Sequence, residues 1–430
     1  MGDLEYQVRT LSNGLRVAYR YVDMPDVIIR TRVTEGSLLE PADKKGVMHA
    51  VEHMLYRSPE GEDFKIATYK LTGREVDAVT TPEFVLFRNR LPANNFNVFI
   101  EAWARQATST YISDEDFELE RQIIINEISN YEIPGTYGHW AISFLQTVLF
   151  PESPLGNSAA GTIASINSLT PVEVSAYKQA HMNASNTIIT IVGGITLEDA
   201  IESLQFNFGD LPAGQVRSQK LPYVPPQVTG QFKYSDGWVD DNTLAYVMQM
   251  PGSDHPDFLP AYALFEYLAG GTGSPMFREI RENRGLAYIV GDDFFLTDES
   301  GFPLPSINNM PRSLIAKRFD EDKTDEIRGI IEKEICKVMQ NQLDLGWLNA
   351  IKSGIMMRFY EHKLENPYTQ AAIIDEMEGG IRPYTVMQEM DFWRNLMPRD
   401  IVETARRYLQ RPFSVVALFP SVNEPEPVNA

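Results

Sequence analysis

Each half of the chain repeats one order of hydrophobic and polar patterns. Val27 to Thr34 alternates apolar and polar side chains as a half-buried strand does, and it leads into a helix that carries residues 49 to 53. In the second half Thr243 to Met250 reads as the strand and Leu259 to Leu268 as the helix that follows it. Longer helical tracts are predicted at Ala93 to Thr110, Asp114 to Tyr131, Lys323 to Asn341 and Leu345 to Leu364. Between the halves, Ala213 to Gly230 is rich in prolines and polar residues that hold neither a helix nor a central strand. The expected organisation is a first domain over 1–212, a linker over 213–230, a second domain over 231–420 and a disordered tail over 421–430. Strands followed by helices in both halves predict an α+β fold built as an internal repeat.

Composition narrows the class. A chain of 430 residues has room for two or three domains, and 43% apolar content with 22 phenylalanines and 19 tyrosines excludes a disordered protein. No run of about eighteen apolar residues is long enough to span a bilayer. Met1-Gly2-Asp3-Leu4-Glu5 has neither the basic start nor the apolar core of a signal peptide, so a cytoplasmic location is expected. A net charge of −21 repels phosphate backbones and anionic membranes, which makes nucleic acid and membrane surfaces poor partners. The single cysteine, Cys336, allows no internal disulfide and falls in a helical pattern, Ile330 to Val338, where a packed position is expected.

The candidate chemistry sits in His49-Ala50-Val51-Glu52-His53. On a helix, histidines four apart emerge from one face one turn apart and can meet a single metal ion, with Glu52 on nearly the same face as a candidate general base. A catalytic zinc site needs a third protein ligand and a fourth position open for water. The amphipathic segment Phe117 to Ile128 offers a carboxylate, since Glu120 and Glu127 are seven apart and share one helix face. His139, His181, His255 and His362 lack ligand spacing and read as structural or exposed, and Gly270-Gly271-Thr272-Gly273 lacks the Lys-Ser or Lys-Thr of a phosphate loop and reads as a turn between helices.

His-x-x-Glu-His followed by Glu-x-x-x-x-x-x-Glu resembles the pitrilysin and insulinase family of zinc peptidases, the inverzincins, in the branch of small bacterial-type or mitochondrial-processing-peptidase-like subunits. Leu11 to Val17 is similar to that family's first hairpin, Gly36-Ser37 with Glu40 and Gly46 to the approach to its metal helix, and Arg281 to Tyr288 to its substrate-binding arginine and tyrosine motif. The resemblance implies zinc held by His49, His53 and Glu127, with Glu52 activating water and Glu120 supporting the site from behind. It implies an edge strand at Asp77-Ala78-Val79-Thr80, where Ala78 and Val79 bind substrate, and a further grip on substrate by Arg281 and Tyr288. It also implies two related domains, each a mostly antiparallel sheet packed with helices, which together form half of a clamshell chamber.

Two stretches depart from the family pattern. Met54-Leu55 is followed by Tyr56-Arg57-Ser58-Pro59-Glu60-Gly61, and Asp77 stands where the family often has asparagine, an acceptor in place of a group that also donates. The implied function is a zinc-dependent endopeptidase acting on peptides or unfolded polypeptide segments inside a closed chamber. The alternatives are a dedicated processing or peptide-maturation subunit working with a sibling protein, and a non-catalytic structural homologue. Family members that close a chamber alone carry about twice as many such domains, so a homodimer is expected, or else a heterodimer with a sibling subunit.

Overall fold

The structure, a computed structural model, describes residues 3–57, 64–74, 77–132, 156–215, 231–234, 241–294, 310–410 and 414–419. The linker from residue 216 on, the tail, His139, the side chain of His362, and positions 58–61 and 154–155 lie outside the described residues. Among the described residues no helix is long and apolar enough to cross a membrane.

The chain folds as two compact units, each α+β. The first is built on strands β1 (Gln7–Thr10), β2 (Arg16–Tyr21), β3 (Asp26–Val33), β4 (Asp77–Thr80), β5 (Val85–Pro92) and β6 (Thr187–Gly193). They form one sheet in the order β1-β2-β6-β3-β5-β4. All neighbours are antiparallel except β2 and β6. The helices α1 (Val47–Met54), α2 (Phe64–Thr72), α3 (Phe96–Thr108), α4 (Asp114–Glu132), α5 (Pro171–His181) and α6 (Leu197–Phe208) supply buried side chains to the large core that also holds Val27, Ile29 and Val33 of β3. Pro171 at the first turn and a capping box between Thr170 and Glu173 start α5, and Thr196 caps α6 through the Asp199 N–H.

The second unit carries β7 (Gln231–Tyr234), β8 (Thr243–Met250), β9 (Ala287–Phe294), β10 (Met310–Phe319) and β11 (Ser414–Leu418) in the order β7-β11-β8-β10-β9. Setting β7, β11, β8, β10 and β9 against β2, β6, β3, β5 and β4 makes the two sheets match neighbour by neighbour. The single parallel pair falls at the same place in each. The repeat read in the sequence is thus a repeat of topology, and the helix after β8, Phe258–Ala269, occupies the position of α1 without a histidine.

Two expectations are corrected. The stretch 231–420 does not stay in one unit, because Phe359–Met387 groups with the first. Its helix Pro367–Glu378 covers the face of the first sheet opposite α1, where Ala371 and Ile374 meet Ala18, Ile28 and Val192. There Asp375, wholly buried, accepts hydrogen bonds from Arg32 Nη2 at 2.5 Å and Arg32 Nε at 3.1 Å and pairs with Arg30 at 3.4 Å. Both faces of β3 are therefore buried, which explains why a strand with an alternating sequence has almost no exposed side. The second correction is Cys336, which lies on the exposed side of its helix, Thr324–Met339, while Ile335 and Val338 take the buried side.

Candidate metal centre

Helix α1 begins at Gly46, whose φ of +82° suits glycine. A Cβ there would lie 2.6 Å from the Ala160 carbonyl oxygen, so the helix start and the loop at 160–161 meet backbone to backbone. The buried carboxylate of Glu40 accepts the N–H groups of Gly46 and Met48, each at 2.8 Å, and so satisfies two of the otherwise unpaired donors of the first turn. Burial pushes this carboxyl up to about 7 against the pull of those two N–H groups.

The two histidines leave α1 on one face with ring centroids 4.7 Å apart. Helix α4 faces them. Phe117, Glu120, Ile124 and Ile128 are buried on it, while Glu127 stands at the rim of the site. Glu127 Oε2 is 3.7 Å from His49 Nε2 and 3.3 Å from His53 Nε2, and the ligand atoms of the three residues lie within 4.8 Å of one another. Burial, aided by the neighbouring His53, pulls the His49 imidazole down to about 4, so its ring is neutral at physiological pH as a ligand must be. Its Nδ1 makes no hydrogen bond of full geometry, although the Ala160 carbonyl lies close enough to act on the ring. Two imidazole nitrogens and one carboxylate oxygen suit zinc, and the described residues add no fourth histidine, cysteine or carboxylate to the group.

Behind this set, Glu120 is fully buried and its Oε2 lies 2.8 Å from His53 Nδ1, the arrangement that fixes a ligand histidine's tautomer and ring plane. Its other oxygen accepts Arg57 Nε at 2.7 Å and Lys65 Nζ at 3.3 Å. Burial would raise the Glu120 carboxyl, but His53, Lys65 and Arg57 outweigh it and hold it at about 2. Against burial, the hydrogen bonds to Glu120 and Glu127 and the neighbouring charge of Glu52 raise the His53 ring to about 9, a proton that metal binding would displace.

Glu52 is buried beside the ligands, and burial pushes its carboxyl above the ordinary range. Thr80 Oγ1 donates to Glu52 Oε2 at 2.5 Å. Thr80 ends β4, which is the edge of the first sheet, so the candidate base is tied to the edge strand expected to meet substrate. Ala78 and Val79 lie on that strand, Ala78 packed toward the core and Val79 on the opposite face. Asp77 is held by Arg88 Nη2 at 2.7 Å.

Arg281 and Tyr288 come together in the second unit: Arg281 Nη1 donates to the Tyr288 carbonyl at 2.9 Å, and its guanidinium lies 4.5 Å from the centre of the largely exposed Tyr288 ring. Sequence reasoning placed Thr80 on the edge strand and Arg57 in the run after His53 without giving either a part in the site, and it did not name Lys65. Arg57 lies in the run after His53 that departs from the family pattern, and its use in the structure is as a partner of Glu120.

Comparison with known proteins agrees with this geometry. Residues 16–163, which hold all four of His49, Glu52, His53 and Glu127, match the family described as Insulinase (Peptidase family M16), and residues 168–353 match the Peptidase M16 inactive domain. The chain belongs to the pitrilysin and insulinase family. An uncharacterized zinc protease of Rickettsia felis is 23% identical over 304 residues, which cover 69% of this chain and 71% of that protein. In fold, a protease from Helicobacter pylori matches with a TM-score of 0.85 at 17% identity, covering 97% of this chain and 100% of that one. A peptidase M16 inactive domain from Pseudomonas fluorescens matches at 0.82 and 16% identity, covering 98% and 100%. The family's metal motif lies in the first unit, and the match to the inactive domain extends through much of the second, in line with the histidine-free helix Phe258–Ala269.

Proposed function

We propose that this protein is a zinc-dependent endopeptidase that cuts peptides or unfolded polypeptide segments. The observation that carries this reading is the convergence of His49, His53 and Glu127 from two helices, with Glu52 buried next to them and joined to the sheet edge. These three residues would hold the metal, and a zinc ion bound there supplies Lewis acidity toward the scissile carbonyl. Glu52, its proton affinity raised by burial, takes a proton from the attacking water and returns it to the leaving amine nitrogen. Thr80 keeps the accepting oxygen in one orientation while it does so. The free edge of β4 offers main-chain groups at Ala78 and Val79 to an extended peptide, which fixes the bond to be cut against the base.

Arg281 and Tyr288 are assigned to substrate binding, and the protein is assigned as a homodimer in which each protomer's pair serves the other's metal set. The test of the reading is Glu52→Gln, which keeps shape and metal ligands but removes the proton acceptor. Hydrolysis of a mixed peptide library is expected to fall about a hundredfold or more with zinc content unchanged. Undiminished turnover would place the base elsewhere.

A further inference from the structure

A cavity of about 340 Å³ opens beside the N-terminal end of β4, lined by Tyr69 and Arg74 at the end of α2, by Asp77, Arg88 and Arg90 on the sheet, and by Tyr368. It gathers three guanidinium groups on a protein with a net charge of −21. Two of them are engaged: Arg88 holds Asp77 at 2.7 Å and Arg90 holds Asp26 at 2.6 Å. The side chain of Arg74 is exposed and forms no ion pair among the described residues; the backbone at that turn is fixed by the Thr72 hydroxyl, which accepts the Arg74 N–H at 3.0 Å.

Strand parity relates this cavity to the site. On β4, Ala78 and Thr80 pair with Phe87 and Val85, face the core and α1, and so point to the side of Glu52. Asp77 and Val79 pair with Arg88 and Leu86 and point to the other face, where Arg90 also lies. A peptide laid along the free edge of β4 alternates in the same way, so only side chains level with Asp77 and Val79 turn toward the arginines. The level of Asp77 is three residues from that of Thr80, roughly 10 Å along a strand. A bond cut beside Glu52 therefore places a side chain three or four residues away at the mouth of the cavity.

We infer that this cavity is a subsite for a carboxylate of the bound peptide, with Arg74 as its recognising group. The inference rests on the peptidase reading for its register, but the pocket can be tested by binding alone. The carboxylate is that of an Asp or Glu side chain or of the peptide's own C-terminus. Either source suits a guanidinium with donors to spare, because charge-assisted bonds from arginine to carboxylate are directional and can be bidentate.

The experiment uses the full-length Glu52→Gln protein, with metal-stripped protein of natural sequence as a second non-hydrolysing background. Three kinds of labelled peptide are compared by fluorescence anisotropy. One has a single Glu, scanned along an otherwise neutral sequence, and an amidated end, one has Gln there and a free C-terminus placed at that position, and one has Gln and an amidated end. The carboxylate peptides are expected to bind about three- to fivefold more tightly than the neutral one, the worth of a partly exposed ion pair. Arg74→Glu is expected to erase or reverse that preference, and Arg74→Gln to erase it. Which carboxylate peptide binds more tightly assigns the source. Equal binding of all three, or a preference that survives Arg74→Glu, overturns the subsite. Binding that depends on Arg74, when the zinc-loaded protein of natural sequence cleaves no peptide of the library, would overturn the peptidase reading and leave the subsite standing.

Discussion

At the scale of single residues, the two glutamates of α4 stand in opposite environments, which support the proposed roles of ligand for Glu127 and partner of a ligand for Glu120. Glu127 is partly open and lies near both imidazole Nε2 atoms, whereas Glu120 is buried, touches only the far nitrogen of His53 and is held by Arg57 and Lys65. Replacing Glu120 by Gln is expected to weaken zinc binding about 10- to 100-fold, and replacing Glu127 by Gln to weaken it more, as read by competition with a chromophoric chelator. The reverse order would mean the roles are exchanged. The shared face of His49 and His53 was legible in the sequence from helical spacing, while the choice of Glu127 over Glu120 as candidate ligand came from the family resemblance. The parts of Thr80, Arg57 and Lys65 were not legible, since they reach Glu52 and Glu120 by tertiary contacts that no local period records.

Among the elements, the helix Pro367–Glu378 departs furthest from the sequence reading. Arg30 and Arg32 look like the solvent side of an alternating strand, and only the fold reveals that a helix more than three hundred residues later brings Asp375 to them. The strands and long helices were legible from their periods. The return of 359–387 to the first unit was not, because nothing in a hydrophobic pattern says which sheet a helix will cover. Asp375→Asn leaves two arginines in a buried site without their counter-charge, and a loss of about 3 kcal/mol or more in unfolding free energy is expected from denaturant titration. A loss within a few tenths of a kcal/mol would mean the cluster is solvated.

A second element-level prediction concerns the contact of α5 with the end of α3. Lys178 is buried there, donates to the carbonyls of Gln106 and Ser109, and is pulled down to about 7 by burial. The folded protein thus binds this proton less tightly than the unfolded chain, whose lysine titrates near 10.4. Lys178 then contributes stability that is fully present above the unfolded value and is lost as pH falls toward 7. Thermal unfolding should therefore show natural-sequence protein gaining on Lys178→Met as pH rises from 7 to about 10. A constant difference between the two across that range would mean Lys178 remains charged in the fold.

On the scale of the whole molecule, five strands of the first sheet are repeated in the topology of the second, and the first unit carries the candidate metal set and the second Arg281 and Tyr288. A homodimer that shares these sets between protomers predicts complementation. Glu52→Gln and the double variant Arg281→Ala, Tyr288→Phe should each be inactive alone, and mixing them should restore part of the activity through dimers with one intact combination. A fully active monomer in solution would overturn the sharing of sites. The central claim, however, is that hydrolysis depends on a metal held by His49, His53 and Glu127. It is tested most directly by stripping the protein with a chelator and titrating zinc back while following cleavage of a peptide library. The account predicts that activity vanishes on stripping and returns in proportion to zinc, with a plateau at about one ion per chain. Full activity in the metal-free protein, or a protein that takes up no zinc, would contradict it.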